Sequence, residues 1–210
     1  MKIYLVRHGK SQFNAENRHQ HKDVPLLDVG MQQAEFLAQR LNDLGIDMVV
    51  SSPYRRTQET AEVINRTLQK PLQFSDLFVE VRVPAVMVGK QTSDEEVLSI
   101  NQQLIEHLGD GDWRYADEET FAEIKKRGED ALEYLTSLSV AKVLVVSHAR
   151  MIRVLVGLMM FGKEMSARDY KKMWFTVMDN TGITVCEFNE KRAMEERWKL
   201  LSWNDVSHLT

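Results

Sequence analysis

Residues 142–147 read KVLVVS, a short β-branched run, and the stretch from Met151 to Phe161 that follows it is apolar nearly all round. A strand that leads into a helix without a polar face has to be buried, and that demands a layered α/β structure. The same order recurs earlier in the chain. IYLV (3–6) and DMVVS (47–51) are compact strand candidates. Between them Ala34, Leu37, Ala38, Leu41 and Leu44 fall at helical spacing, with Asp28 near the helix start and Gly45 just past its end. After Ser52 and Pro53, the residues Thr57, Ala61, Ile64 and Leu68 mark one face of another helix. This β-α-β rhythm predicts a largely parallel sheet with helices on its faces. GITVCEF and RWKLLSW read as a closing antiparallel pair at one edge. The expected fold class is α/β, a three-layer α/β/α sandwich on a mostly parallel mixed sheet.

Residues 81–118 break the rhythm. They contain Pro84, Gly89 and a Ser93–Glu96 capping box, which opens a helix with Val97, Ile100, Leu104 and Leu108 on one face. The turn-rich loop GDGDWRYADEE follows. Such a segment is either a surface excursion or a cover over a site at the strand ends. The expectation is a single domain over 1–210, with 81–118 as a helical and loop lid insert. Phe121, Ile124, Ala131, Leu135 and Leu138 then return in helical register to the core.

Composition limits the function. With 210 residues and 43% hydrophobic content the chain can bury one sizeable core. A net charge of −4 argues against a general nucleic-acid binder, so any cationic site must be local. The single cysteine, Cys186, lies in the apolar alternation of ITVCEF and reads as a small core residue in a reducing compartment. IYLV is too short for a signal-peptide core and no apolar run could span a bilayer, so a soluble, cytoplasmic protein with no membrane partner is expected. Nothing in the sequence fixes an oligomeric state.

Three strand ends carry unusual chemistry. IYLV is followed by Arg7-His8-Gly9, MVVS by Ser52-Pro53-Tyr54-Arg55-Arg56, and VLVVS by His148-Ala149-Arg150. In open α/β sheets ligands collect where strands finish and helices begin. An arginine fork suits the non-bridging oxygens of a phosphoryl group, and a neutral histidine is a nitrogen nucleophile. Singly, each residue could be a structural histidine or a solvated arginine; together they describe a phosphate site. His19-x-His21, in a polar loop, reads as solvated, and no metal or cofactor is expected.

RHGKSQFN resembles the Arg-His-Gly-x-Ser-x-x-Asn signature of the histidine phosphatase superfamily, which includes cofactor-dependent phosphoglycerate mutases and many small-molecule phosphatases. DVPLLDVGMQQA resembles the stretch after it, SSPYRRTQETA the second-arginine motif and VVSHARMIR the second-histidine motif. NTGITVCEF and WNDVSHL are similar to the family's closing strands, so the resemblance runs nearly end to end. It implies that Arg7 binds phosphate and His8 becomes phosphorylated. Spacing from Ser52 and Thr60 selects Arg56 over Arg55, and His148 matches the histidine that bonds the phosphoryl group. Asn14, Arg18 and Ala149 fall at substrate or phosphate contacts. LFVEV offers Glu80 as the acid, with Asp76 as a rival, because the family's usual Gly-x-Trp-Glu-Gly stretch is replaced by VRVPAVMVGK. Ala149 stands where the family has glycine and Lys10 where it has Glu or Gln; Lys10, Arg18, Lys22, Arg82 and Lys90 could charge the cleft mouth.

The activity this implies is hydrolysis of small phosphorylated compounds through a phosphohistidine, without a metal. His8 attacks phosphorus, Arg7, Arg56 and His148 stabilise the oxygens, and Glu80 protonates the leaving alcohol. The alternatives are mutase-type transfer between two positions of one substrate, disfavoured because the additional basic motifs that mutases use for a substrate carboxylate are not found, and a phospholigand- or protein-binding module on the same fold.

Overall fold

The computed structural model describes residues 1–209. Six strands form one sheet: β1 (Lys2–Arg7), β2 (Met48–Ser51), β3 (Leu72–Phe74), β4 (Lys142–Ser147), β5 (Ile183–Phe188) and β6 (Trp198–Asp205). Their order across the sheet is β3-β2-β4-β1-β5-β6. The β3-β2, β2-β4 and β4-β1 pairs are parallel, whereas β5 is antiparallel to both β1 and β6. The mostly parallel mixed sheet and its antiparallel closing edge are as expected.

Strand alternation divides the interior in two. Ile3, Leu5, Val143 and Val145 face one way and pack with α5 (Phe121–Ser137) and α6 (Ala149–Phe161). Tyr4, Val6, Leu144 and Val146 face the other way and pack with α2 (Asp28–Asn42) and α3 (Arg55–Leu68). The result is the three-layer sandwich. Each fully buried aliphatic side chain in these layers contributes roughly 1.5–3 kcal/mol. As its composition requires, α6 is buried from Met151 to Met159 apart from the half-buried Arg153, with only Met160 and Phe161 exposed at its end.

The structure corrects the reading at several places. The three-residue β3, the four-residue α1 (Gln12–Ala15) and α7 (Ala167–Met173) were not legible. The insert helix, α4 (Glu95–Glu106), is capped by Asp94 rather than Ser93: the Asp94 carboxylate accepts from the Glu96 and Val97 N–H groups at 3.0 and 3.3 Å. Aspartate is an N-cap of equal quality one position later. Val97, Ile100 and Leu104 join Met87 and Val83 in a small core of their own, while Leu108 turns to the main core. Asp76–Phe78 is a 3-10 turn and Glu80 follows in irregular chain. None of the described helices is long and apolar enough to cross a membrane.

Candidate active site

Because β1, β2 and β4 are parallel, they deliver their C-terminal residues to one edge of the sheet. The sheet also fixes the residue beyond each end. His8 N–H donates to the Ser147 carbonyl at 3.0 Å, and Ser52 N–H donates to the Val146 carbonyl at 3.0 Å. His148 follows β4 directly and starts α6. The His8 and His148 rings thereby meet edge-on, with centroids 5.3 Å apart, and both are buried.

Arg56, in the first turn of α3 and 1% exposed, ties these ends together. Its Nε–H donates to His8 Nε2 at 3.2 Å, Nη2 to His148 Nδ1 at 3.1 Å and Nη1 to the His21 carbonyl at 2.9 Å. A guanidinium can only donate, so both ring nitrogens it touches must be acceptors. The His8 proton therefore sits on Nδ1, which donates to the Gly9 carbonyl at 2.8 Å, and the His148 proton sits on Nε2, which donates to Ser52 Oγ at 2.9 Å. Burial, then the charges of Arg56 and Arg7, hold both histidines well below the ordinary value of 6.5. His8 is thus a neutral imidazole with its Nε2 lone pair directed at a cation. Burial also lowers Arg56 to about 10. The adjacent Arg55 points outward and pairs with Glu59 at 2.8 Å.

The glycine of Arg7-His8-Gly9 serves close approach. A Cβ at Gly9 would lie 2.4 Å from the Gly30 carbonyl oxygen, and one at Gly30 would lie 2.2 Å from that of Lys10. The turn after β1 thus crosses the first turn of α2 backbone to backbone. Gly9 N–H donates to Thr60 Oγ at 3.0 Å, and Thr60 in turn bonds the Arg56 carbonyl at 2.6 Å, which couples the nucleophile turn to α3.

Arg7 Nη1 donates to the Met178 carbonyl, while its buried Nε has no hydrogen-bond partner. Asn14 lies near His8 but reaches it indirectly: its Oδ1 accepts from Asn180 Nδ2 at 3.2 Å, and the same Nδ2 donates to the His8 carbonyl at 2.8 Å. Arg18 bonds the Gly89 carbonyl at 2.7 Å and pairs with Glu16 at 2.9 Å, so its fork is partly engaged in joining the loop after α1 to the insert. Ala149 opens α6, and its methyl group packs on the main core. Of the cations expected at the cleft mouth, Lys90 pairs with Glu96 and Arg82 bonds the Asp117 carbonyl. His21 offers the site its carbonyl, and its ring lies edge-on to Phe13. Among the described residues no group of three or more His, Cys, Asp or Glu could hold a metal ion.

Glu80 approaches from the insert side. Its Oε1 accepts from Val81 N–H at 2.9 Å and Met151 N–H at 3.1 Å, and its Oε2 from Arg150 N–H at 3.4 Å. A carboxylate at the first turn of α6 meets free N–H groups and the positive end of the helix. Its charge also acts on Arg7 and Arg56. The rival Asp76 is exposed on its 3-10 turn. The chain before Glu80 is held by Arg127, which donates to the Val79 and Leu77 carbonyls at 2.8 and 3.2 Å and grips Glu119 through Nε and Nη2, both at 2.8 Å.

Arg127, Glu119, Asn180, Ser52 and Tyr54 were not singled out from sequence as site residues. Tyr54 packs edge-on to His148 at 5.2 Å and lies under the Arg56 guanidinium at 5.3 Å. Ser52 and Asn180 stood inside recognised stretches, and their position at strand boundaries was the available signal.

The sequence profile described as "Histidine phosphatase superfamily (branch 1)" matches residues 3–206. The chain belongs to that superfamily. Among its relatives is the protein named probable phosphoglycerate mutase GpmB of Shigella boydii serotype 18, 30% identical over 214 residues that span 100% of this chain and 95% of that one. This histidine phosphatase is also similar in structure to Bacillus stearothermophilus YhfR (TM-score 0.81, 21% identity, 100% and 99% of the two chains). A phosphoserine phosphatase from Entamoeba histolytica, solved with 3-phosphoglyceric acid, superposes with TM-score 0.77 at 26% identity over 100% and 99% of the chains.

Proposed function

We propose that this histidine phosphatase hydrolyses small phosphomonoesters in two displacements at His8. The observation that carries the reading is the Arg56 guanidinium shared between His8 Nε2 and His148 Nδ1 in a buried pocket. An incoming phosphoryl group displaces the Arg56 N–H from the His8 lone pair, and that cation then lies beside the non-bridging oxygens. Arg7 adds its unpartnered Nε–H, and His148 exchanges its Ser52 contact for a phosphoryl oxygen. Nε2 attacks phosphorus as the ester P–O bond breaks, and the departing alkoxide takes a proton from Glu80, which has first received it from the phosphate monoanion of the bound ester. Oε2 suits that step, because Oε1 accepts both of the shorter backbone bonds. Water then attacks phospho-His8, giving its proton to the Glu80 carboxylate and releasing phosphate and neutral His8. Asn14, through Asn180, positions the His8 backbone; Arg18 and Ala149 border the phosphate pocket.

The chain acts as a single domain in this reading, with residues 81–118 covering the leaving-group side. Supporting this, residues 17–19 bond to 89–92 across the mouth, with His19 N–H donating to Lys90 O at 3.0 Å and Thr92 N–H to Asn17 O at 2.8 Å.

Rapid quench with a labelled phosphomonoester tests the mechanism. The expected product is an acid-labile, base-stable phosphoprotein that is absent from His8→Ala; label retained on that variant defeats the assignment. The GpmB relatives favour a second reading, phosphoryl transfer within one phosphoglycerate. Phosphorus NMR of the 3-phosphoglycerate reaction separates the two, since hydrolysis yields inorganic phosphate and mutase action yields the positional isomer.

A further inference from the structure

From Met160 to Val177, every exposed side chain other than Glu164 and Ser166 is either basic or apolar. Phe175 is 85% exposed, more than any other aromatic side chain described, and Val177 is 63% exposed. The arrangement comes from α7. Tyr170 stacks on Phe121 and Met173 packs beside Gly157, so these two are buried against α5 and α6. Arg168, Lys171 and Lys172 therefore share the exposed face. The chain stays coiled past the helix end, because the N–H groups of Trp174, Phe175 and Thr176 donate to carbonyls three residues earlier at 3.2, 3.2 and 3.1 Å. In such a 3-10 turn residues three apart eclipse, and Phe175 falls on the Lys172 side. Among the described residues the Arg168 and Lys171 side chains have no hydrogen bond or ion pair. Lys172 pairs at 3.2 Å with Asp169, whose carboxylate also bonds Ser166 at the start of α7.

The apolar end of this surface is held in place. Arg153 Nη2 donates to the Thr176 carbonyl at 2.6 Å, Trp203 Nε1 to that of Val177 at 2.8 Å, and Arg7 Nη1 to that of Met178. These bonds fix the backbone on which Phe175 and Val177 point to solvent. Single exposed apolar residues are common, but two held beside unpaired cations make a surface with a preferred partner. An anionic bilayer matches it: the apolar side chains enter the headgroup boundary while Lys and Arg reach the lipid phosphates. A fluid surface closes around projecting side chains, whereas a rigid partner would need a matching pocket. The net charge of −4 makes the contact directional, since the rest of the protein is repelled by the same surface. No described helix is long and apolar enough to cross a membrane, and a contact of this kind requires none.

We propose that α7 and the turn after it, from Arg168 to Val177, form a peripheral docking surface for anionic lipid bilayers, with Phe175 and Val177 entering the interface and Arg168, Lys171 and Lys172 facing the headgroups. The proposal is independent of the reaction at His8. Sedimentation of the whole protein with vesicles tests it, using phosphatidylcholine alone against an equal mixture of phosphatidylcholine and phosphatidylglycerol. The protein should sediment with the mixed vesicles only, and added salt should release it. Each Lys or Arg at an anionic surface strengthens binding by roughly fivefold, so Arg168→Gln combined with Lys171→Gln should weaken it by roughly 25-fold. Phe175→Ser should weaken it by about tenfold, the lower end for burying a large apolar side chain. Arg66→Gln combined with Lys70→Gln, which removes the same charge from exposed positions at the end of α3 across the sheet, should change nothing. The circular dichroism spectrum and thermal melting of each variant should match the wild type, which separates lost binding from lost folding. Equal sedimentation with both vesicles, or none with either, overturns the proposal, as does a loss at Arg66 and Lys70 as large as that at Arg168 and Lys171. Wild-type binding by Phe175→Ser overturns the insertion. Retention on polyglutamate or DNA that needs Arg168 and Lys171, without vesicle binding, overturns the bilayer in favour of an acidic macromolecule.

Discussion

The two halves of the candidate site are built on different principles. The nucleophile half is part of the sheet: His8 and Ser52 hang from the last rungs of the parallel ladder, His148 follows β4, and the buried Arg56 bonds both histidines. The acid half is irregular chain. Glu80 follows a 3-10 turn, is half-buried, and is held by first-turn N–H groups of α6 and, at a distance, by Arg127. A ladder shared by four strands resists displacement, whereas a loop residue is only as well placed as the side chains that tie its neighbours. The nucleophile half should therefore fail abruptly when altered and the acid half by degrees.

The sharpest test is the pair of adjacent arginines. Arg56→Ala should lower kcat/KM by about two to four powers of ten, the usual cost of losing a donor aimed at developing charge. Arg55→Ala, which removes an exposed i,i+4 pair with Glu59, should leave it nearly unchanged. The opposite ranking would place the phosphate grip one residue earlier on α3.

Smaller effects are expected on the acid side. Glu80→Gln should slow single-turnover phosphorylation of His8 by an alkyl phosphate about 10²- to 10³-fold, and by nitrophenyl phosphate far less, since nitrophenolate leaves without a proton. Arg127→Ala should give the same selectivity at roughly a tenth of the size, because it loosens the chain before Glu80 without removing the carboxyl group. Equal slowing of both substrates by Arg127→Ala would make that arginine a stability element only. Equal slowing by Glu80→Gln would end its assignment as proton donor.

The comparison can also be pressed through pH. His8 and His148 are neutral in the fold, with values well below the 6.5 of an exposed imidazole. As pH falls below about 6.5 the unfolded chain takes up protons that the folded chain refuses, so their contribution is complete above that pH and is lost below it. Each buried histidine should cost about 1.4 kcal/mol of stability per pH unit in that window. Denaturant titrations between pH 7 and 5 should show this slope, and His148→Gln should flatten it by one proton. An unchanged slope would mean that His148 is charged in the fold.

The same contrast explains what could be read from the sequence. β1, β2 and β4 announce themselves as apolar runs because they lie between two helical layers, and the residues just past them can be assigned by position alone. Glu80 has no such frame: LFVEV forms neither helix nor strand, and only the family resemblance pointed to it. Arg127 bonds carbonyls 48 and 50 residues away, a relation that no local period encodes. Asn180 works through its side chain on the His8 carbonyl, 172 residues distant. Short β3 and α7 carry too few residues to show a period, and the shift of the α4 cap from Ser93 to Asp94 reflects two adjacent residues of similar capping strength.

The hydrogen bond from His8 Nδ1 to its neighbour's carbonyl has a consequence in regiochemistry. Imidazole can be phosphorylated on either nitrogen, and the two phosphohistidines are distinct compounds. In this fold a single backbone oxygen, that of Gly9, occupies one of them and leaves the other for phosphorus. The proposed intermediate is accordingly the tele isomer, and the choice is made by the turn after β1 before any substrate arrives.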